Sequence, residues 1–449
     1  MARFLRRAFA GAALMSVTLG AADAAAQVDY EIISALQFNF SNPGARSLAL
    51  AGALTGTGDD ATGAWTNPGG LTNISRPEVG VELRHFRFST LFVNGGRFNG
   101  TPTNVGVDTQ TSVNLGESED TTTSLSFVSA VIPRSRFAFA FYRTEVANFE
   151  TRISTDGVFL DLGDGGLRRI RPLDGELDLK VANYGGAAAM RIYDVVSVGI
   201  GLSIYDLSLD SAAVRYGFQD ANTIDQIVQP GFLLGPPRRT GDNIVSTEFI
   251  SADDTRLGVN LGASVSLSPQ VRVGASYRQG PKFDIEYSRV LGNGTVQSDG
   301  ESGFNVPDVI AVGALYRPLP TLNVAIDYRR VFYSQMVEDM RVVIDPNERL
   351  EHYVVDDGNE VRGAVEYLFT NLPAPFSVLA VRGGVWFDPD HRIRFEGPFS
   401  ANTVLYPRGD DEMHYTGGAG VVVRNVQVDV GYDHSERVKT FSASAIYRF

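Results

Sequence analysis

The sequence predicts an all-β protein, a transmembrane antiparallel β-barrel of about 14 strands carrying an N-terminal plug, and three observations lead there. Apolar residues alternate with small or polar ones along many segments. The connections between those segments alternate long and short. A compact stretch rich in Gly and Ala, Ser41 to Leu71, precedes them all.

The alternation is clearest where Leu257, Val259, Leu261, Ala263, Val265 and Leu267 interleave with Arg256, Gly258, Asn260, Gly262, Ser264 and Ser266. The same holds for Val196, Val198, Ile200, Leu202 and Ile204, and for Leu322, Val324, Ile326 and Tyr328. A period of two requires one apolar face and one polar or crowded face. A soluble β-sandwich would show it too, so the connections decide. The candidate strands are 77–92, 119–132, 137–150, 173–193, 195–209, 253–268, 270–288, 306–317, 321–333, 357–369, 376–387, 412–423, 425–433 and 438–449. Gaps after odd-numbered strands are mostly long and those after even-numbered strands short, as at Pro133-Arg134-Ser135-Arg136 and Pro318-Leu319-Pro320. Membrane barrels sort their connections in this way, with tight turns on the periplasmic side and long loops outside. An even count returns both termini to the periplasm. Backbone groups in lipid must all be paired, so the sheet has to close on itself.

Ahead of the strands, Arg3, Arg6 and Arg7 precede an apolar run from Ala8 to Ala22 with small residues at Ala24 and Ala26, which predicts a secretory signal over 1–26. The run is shorter than the roughly 20 residues a spanning helix needs. Residues 27–76 are assigned to the plug, or hatch, and 77–449 to the barrel. Glycine reaches positive φ without strain and lets backbone approach backbone, which suits a segment folded inside a confined space. A barrel of about 14 strands would otherwise hold water. With no Cys the chain has neither a disulfide nor a lipid-bearing thiol, and a net charge of −13 argues against nucleic acid as a partner. The 27 Phe and 17 Tyr suit strands and an aromatic girdle.

The last strand alternates Phe441, Ala443, Ala445, Tyr447 and a terminal Phe449, similar to the C-terminal signature of bacterial outer-membrane barrels. Phe449 is accordingly expected to address the barrel-assembly machinery. Three further stretches carry a wider resemblance. The first runs from Pro43-Gly44-Ala45-Arg46 through Ala51-Gly52-Ala53 and Asp59-Asp60-Ala61 to Asn67-Pro68-Gly69-Gly70-Leu71. The second runs from Val306-Pro307 through Val312-Gly313-Ala314-Leu315-Tyr316-Arg317 to Ala325-Ile326-Asp327-Tyr328, and the third from Tyr415-Thr416-Gly417-Gly418-Ala419-Gly420 to Phe449. With these the chain resembles the long-chain fatty acid and hydrocarbon transporter family of the bacterial outer membrane (FadL-type). Gly69 stands where that family usually has Ala, and Ser47 where it often has Gly.

The resemblance implies a barrel of fourteen strands stoppered by a hatch with Asn67, Pro68, Gly69, Gly70 and Leu71 at its end. It implies a monomer in the bacterial outer membrane, in contact with lipid and lipopolysaccharide, that passes a hydrophobic small molecule without cofactor, metal or energy coupling. The cargo would be caught by outer loops, held in the lumen and released sideways through the wall. Two other readings fit a barrel: a scaffold or anchor for surface and secreted proteins, and a general diffusion porin.

Candidate residues follow from the pattern. The longest loop, about 210–252, gathers Ile227, Val228, Phe232, Leu233 and Leu234 around Pro230-Gly231, where loops are normally polar. They form either a capture groove or a lid. A lateral exit needs a bulge or kink, and the third and fourth strands lose phase: Phe137, Phe139 and Phe141 give way to Tyr142 and Val146, and Leu177, Leu179 and Val181 to Tyr184, Ala188, Met190 and Ile192. The candidate portal is Tyr142, Val146, Asn183, Gly185 and Gly186, although simple bulges would give the same signal. Parity turns Arg256, Arg272, Arg278, Arg329, Arg362 and Arg382 inward with Asp327, Glu366 and Asp429, because a charge facing lipid costs about 2 to 4 kcal/mol. Most are expected to pair with one another across the lumen, leaving at most one for a carboxylate. The five His are scattered and no nucleophile motif is present, so neither a metal centre nor an enzyme is indicated. His414 with Asp410, Asp411 and Glu412 is the one weak cation cluster.

Overall fold

A computed structural model describes residues 42–161, 167–217, 234–340 and 349–449; the expected signal segment and residues 27–41 of the expected hatch lie outside these. Fourteen antiparallel strands close into a ring. They are β1 (Glu78–Phe98), β2 (Val113–Arg134), β3 (Phe137–Thr155), β4 (Leu173–Tyr193), β5 (Val196–Tyr216), β6 (Ile244–Ser266), β7 (Val271–Arg278), β8 (Val309–Leu319), β9 (Leu322–Val331), β10 (Gly358–Phe369), β11 (Phe376–Asp388), β12 (Glu412–Val423), β13 (Val426–His434) and β14 (Val438–Arg448). β14 pairs back onto β1 from Glu78↔Arg448 to Phe88↔Val438, which leaves the lower wall without an edge. Each strand falls on a candidate drawn from the alternation.

The outer ends differ from expectation. β1 continues to Phe98 and β2 begins at Val113, because Glu117 to Ser124 is polar on both faces and carries no alternation to read. The seventh candidate is interrupted, and the eighth begins three residues late. β7 stops before Gln279-Gly280-Pro281, a separate hairpin (Lys282–Leu291 with Val296–Asn305) pairs with the outer part of β6, and β8 starts after Val306-Pro307. Proline has no N–H for the ladder and a fixed φ, so both prolines mark where the ladder changes partner.

The wall has two zones. Along β5, Val198, Ile200, Leu202 and Ile204 face outward and are exposed, whereas Tyr205, Leu207 and Leu209 face inward and are buried. The parity of β5 never changes; only the identity of the apolar face does. β4 behaves likewise, with Leu177, Leu179 and Val181 inward and Tyr184, Met190 and Ile192 outward, and its register with β5 runs unbroken from Leu173↔Arg215 to Arg191↔Ser197. The phase loss read in the fourth strand is therefore no bulge. It marks the level at which apolar surface passes from the lipid belt to the lumen.

Residues 42–74 sit inside the lower zone, touching strands on opposite sides of the ring. A Cβ on Gly431 of β13 would lie 2.4 Å from the Ala45 carbonyl oxygen, one on Gly274 of β7 would lie 2.0 Å from that of Thr55, and one on Gly56 would lie 2.9 Å from the backbone of Ala314 in β8. Small residues on both partners make this contact possible. Polar ties complete it: Asp327 accepts the Thr55 N–H (2.8 Å), and Arg272, Arg362 and Arg329 donate to the carbonyls of Thr57 (2.7 Å), Ala51 (2.8 Å) and Gly52 (3.2 Å). Arg46 pairs with Asp59 (2.6 Å), Asp60 (2.9 Å) and Glu366 (3.1 Å). Three of the six inward arginines, Arg272, Arg329 and Arg362, thus hold the hatch, whose buried backbone groups would otherwise lack partners, while Arg382 pairs with the inward carboxylates Glu366 (2.7 Å) and Asp429 (2.8 Å) as parity leads one to expect.

Candidate functional site

Above the hatch the lumen is apolar. One continuous buried cluster runs from Trp65 and Leu71 of the hatch through Phe149, Leu177 and Leu207 to Tyr353 and Tyr406 of the outer loops. Trp65 forms its floor, with Tyr142 and Tyr205 ring centroids at 6.2 and 6.3 Å. Phe86, Phe88 and Phe149 form a second aromatic group, with centroids 5.1 to 5.9 Å apart.

This second group stands beside a break in the wall. β2 pairs with β3 only from Phe127↔Thr144 down to Arg134↔Phe137, although both strands continue outward. Ser126 is the extra residue of a bulge in β2, between Glu82↔Phe127 and Leu83↔Leu125, and Val146 is that of a bulge in β3, between Glu145↔Ala182 and Ala147↔Val181. Two facing bulges at one level turn the strands apart, because each inserts a residue without a ladder partner and bends its strand. Beyond them, side chains alone link the edges. Ser124 donates to Glu145 (2.5 Å), Thr151 to Asp120 (2.6 Å), Ser118 to the Arg152 carbonyl (2.9 Å), and Arg143 to the Leu125 carbonyl. Behind them lies a cavity of about 40 Å³ lined by Phe86, Ser124, Glu145, Val146 and Phe149. On the lipid side, just below the break, a groove of about 820 Å³ runs past Val79, Val128, Phe141, Tyr184 and Tyr447, with Arg143 in its lining.

A second interruption lies on β6, which pairs with the hairpin down to Ser251 and with β7 only from Asn260. It is closed by charge: Asp254 accepts the Asp284 N–H (2.9 Å), and Arg256 bridges Asp254 (2.8 Å) and Asp284 (2.5 Å). Apolar cargo would have to displace these ion pairs, so the β2–β3 break is the better opening for it. Below the hatch, the periplasmic mouth is a cavity of about 500 Å³ lined by Arg46, Asp59, Arg317, Glu366, Arg382 and Asp429, a poor route for an oily solute.

The hatch-end residues form a clamp. Asn67 donates to the carbonyls of Thr55 (2.8 Å) and Ala263 (2.9 Å) while its Oδ1 accepts the Gly69 N–H (3.1 Å). Pro68 opens a short 3₁₀ turn, Pro68–Asn73, and Leu71 is buried beneath it. Gly69, where Ala is usual in the resembled family, has room for no more: a Cβ would lie 2.8 Å from the backbone of Ala263.

Of the portal residues, Val146 occupies the bulge, Tyr142 stands just below it, and Asn183, paired in register with Thr144, points into the lumen with neither amide atom hydrogen-bonded. Gly185 and Gly186 lie lower, at the groove. Sequence reasoning missed Ser126, which lies between Leu125 and Phe127, because the adjacent apolar residues Phe127 and Val128 blur the change of phase across the bulge. Of the capture-loop residues, Ile227, Val228, Phe232 and Leu233 lie outside the described residues. Leu234 is buried, and its carbonyl accepts the Val107 N–H (3.1 Å).

Among the six inward arginines, Arg256, Arg272, Arg329, Arg362 and Arg382 are engaged with carboxylates or hatch carbonyls. Arg278 differs. It is 9% exposed and lies over the Trp65 ring at 4.2 Å, with no ion pair among the described residues. His414 is turned away from the loop edge: it is buried, hydrogen-bonded to Asp433 (2.9 Å) and stacked on Trp386 (3.8 Å), while Asp410 pairs with Arg437. Among the described residues no group of three His, Cys, Asp or Glu side chains is arranged to hold a metal ion.

A closed barrel, apolar outside, blocked by an internal hatch and interrupted in its wall between β2 and β3 and again beside β6, defines a channel protein of the bacterial outer membrane. Residues 25–442 match the family described as outer membrane protein transport protein (OMPP1/FadL/TodX), and the chain belongs to it. Solved structures agree in fold. A Pseudomonas aeruginosa FadL homologue is similar with a TM-score of 0.63 at 14% identity, over 91% of this chain and 99% of that one. The toluene transporter TbuX of Ralstonia pickettii gives 0.54 at 15% identity over 92% and 100%, and the P. putida toluene transporter TodX 0.55 at 13% over 92% and 99%. Curated protein sequences provide no match.

Proposed function

We propose that this protein carries hydrophobic small molecules passively across the outer membrane, seating them in the lumen above the hatch and releasing them between β2 and β3 into the surrounding lipid. The pair of facing bulges at Ser126 and Val146 carries this reading, because a free strand edge at the lipid boundary is costly unless it serves as a door. An alkyl chain gains about 0.8 kcal/mol per CH₂ on leaving water for the lumen and keeps that gain on entering lipid, so no energy source is needed. The charged periplasmic mouth disfavours the straight path, and one chain closes the barrel without a second copy.

Arg278 and Asn183, polar and unpaired in an apolar lumen, favour a long-chain carboxylate over a plain hydrocarbon. The aromatic floor of Trp65, Tyr142, Tyr205 and Phe127 supports a second reading, a small aromatic solute. Uptake of labelled oleate and of toluene by cells lacking their own transporter decides between them. Expression of this chain should raise oleate uptake several-fold while the purified barrel stays poorly conductive in planar bilayers. Uptake no greater than in cells without the chain would favour the scaffold reading, and a large steady conductance the general porin.

A further inference from the structure

Above its apolar belt the outward face of the wall carries charge of opposite sign on two flanks. Where β13, β14, β1 and β2 adjoin, backbone register sets His434, Lys439, Arg87 and Thr121 side by side in one cross-strand row. Parity turns the row outward, since Tyr432, Phe441 and His85 directly beneath it are exposed on the same face. The Lys439 ammonium has no ion pair or hydrogen bond among the described residues. Arg87 reaches Glu119 through one nitrogen, with the two side chains 43% and 54% exposed, which leaves other donors of its guanidinium to face outward. Two acids stand above the row, Glu119 on β2 and the exposed Glu436 in the turn between β13 and β14, while Arg437 of that turn is tied to Asp410 (3.0 Å). Further round the wall the pattern inverts. Asp178, Asp210, Ser251 and Glu286 form one row on β4, β5, β6 and the hairpin, and among the described residues only Asp178 of these acids has a cation, Lys180 (3.0 Å).

The basic row lies at the outer boundary of the membrane. Lys439 stands ten residues before Phe449, roughly 34 Å along the strand and, at a tilt of about 45°, roughly 24 Å along the membrane normal, which matches the apolar band of roughly 25 Å in such barrels. Tyr432 and Phe441 below it occupy the position of the outer aromatic girdle, and Val430, Ala443 and Leu83 form the next outward row. A phosphate at that height meets an ammonium, a guanidinium and an imidazole at once, and both cation types suit its oxygens. We propose that the row His434–Lys439–Arg87 binds a phosphate of the glycolipid of the outer leaflet, the lipid A anchor of lipopolysaccharide, whose acyl chains lie on Phe441, Val430 and Leu83. Charge selects the flank, because the acid row of β4 to β6 repels the same phosphate. Single exposed contacts are weak and screened by salt, so the site works through several charges acting together. The proposal depends on the barrel and its level in the membrane, not on what the lumen carries.

The test uses the full-length protein in amphipol, freed of bound lipid and titrated with diphosphoryl lipid A, phosphatidylglycerol and inorganic phosphate. Wild type should bind lipid A in preference to phosphatidylglycerol. Lys439→Gln should weaken lipid A binding about fivefold, as for one basic side chain beside an anionic lipid surface, and Lys439→Gln with Arg87→Gln about 25-fold, while Lys439→Arg keeps most of it. Glu119→Gln, which releases Arg87, should strengthen it, and Asp210→Asn on the opposite flank should leave it unchanged. Heat-modifiable migration establishes that each variant is folded, and Lys439→Gln alone serves if the double variant is not. Unchanged lipid A affinity in a folded Lys439→Gln barrel overturns the proposal. So does equal affinity for phosphatidylglycerol, which would make the row a general anionic-lipid contact, and so does displacement of lipid A by millimolar phosphate, which would make it a site for small anions. Concentration-dependent association of barrels that Lys439→Gln abolishes, with no lipid A bound, would instead pair the basic flank of one copy with the acidic flank of another.

Discussion

Cross-linking Ser124→Cys to Glu145→Cys with a short thiol reagent should cut uptake of hydrophobic cargo by about an order of magnitude, and cleaving a reducible version of the link should restore it. The two side chains are joined by a 2.5 Å hydrogen bond across the space where β2 and β3 have stopped pairing. Replacing that bond with a covalent bridge fixes the edges without touching the lumen or the hatch. The native chain has no Cys, so no other residue competes for the reagent. Each modified thiol alone is the control, since a monofunctional reagent adds bulk without closure. Full uptake through the bridged barrel would place the exit elsewhere, with the charged interruption of β6 next in line.

The second large effect concerns the stopper. Gly70→Val should open an ion path through a barrel that still folds. A Cβ on Gly70 would lie 2.6 Å from the Cα of Gly58, which itself sits at φ 48°, so neither backbone can yield by a rotamer change. The clash falls inside the clamp made by Asn67 with Thr55 and Ala263. A strained core contact of this kind costs typically about 1 to 3 kcal/mol, enough to shift a hatch held by a limited set of polar ties. Single-channel conductance in planar bilayers should rise many-fold, and cells should become sensitive to large antibiotics. The wall hydrogen bonds do not involve this turn, so heat-modifiable migration should be retained. A quiet channel would mean that the hatch tolerates displacement without leaking.

How far the sequence revealed this depends on which environment each residue meets. Leu257 to Leu267 could be read because lipid on one face and hatch on the other impose a strict period of two. Glu117 to Ser124 could not, since water or polar side chains on both faces impose none. The shift from Val181 to Tyr184 was visible but ambiguous: a change of apolar face and a bulge leave the same trace in a hydropathy pattern, and only strand register separates them. Val146 stood out because its bulge lies between the buried apolar runs of β3, whereas Ser126 is followed by two consecutive apolar residues, Phe127 and Val128, that hide the change of phase. Parity turned Arg278 and Arg362 inward alike. Which of them is engaged depends on where hatch carbonyls fall, as the Ala51 carbonyl does for Arg362, and no local pattern encodes that.

The central claim is that hydrophobic cargo leaves through the wall between β2 and β3 rather than past the hatch. The most direct measurement is photolabelling of the full-length protein in lipid with an alkyl carboxylate bearing a diazirine near its tail, followed by mapping of the labelled residues by mass spectrometry. Labels should fall on Phe86, Val146 and Phe149 at the break and on Phe141 and Tyr184 in the groove outside it. Labels confined to the periplasmic cavity, at Arg46, Asp59 or Arg382, would contradict it.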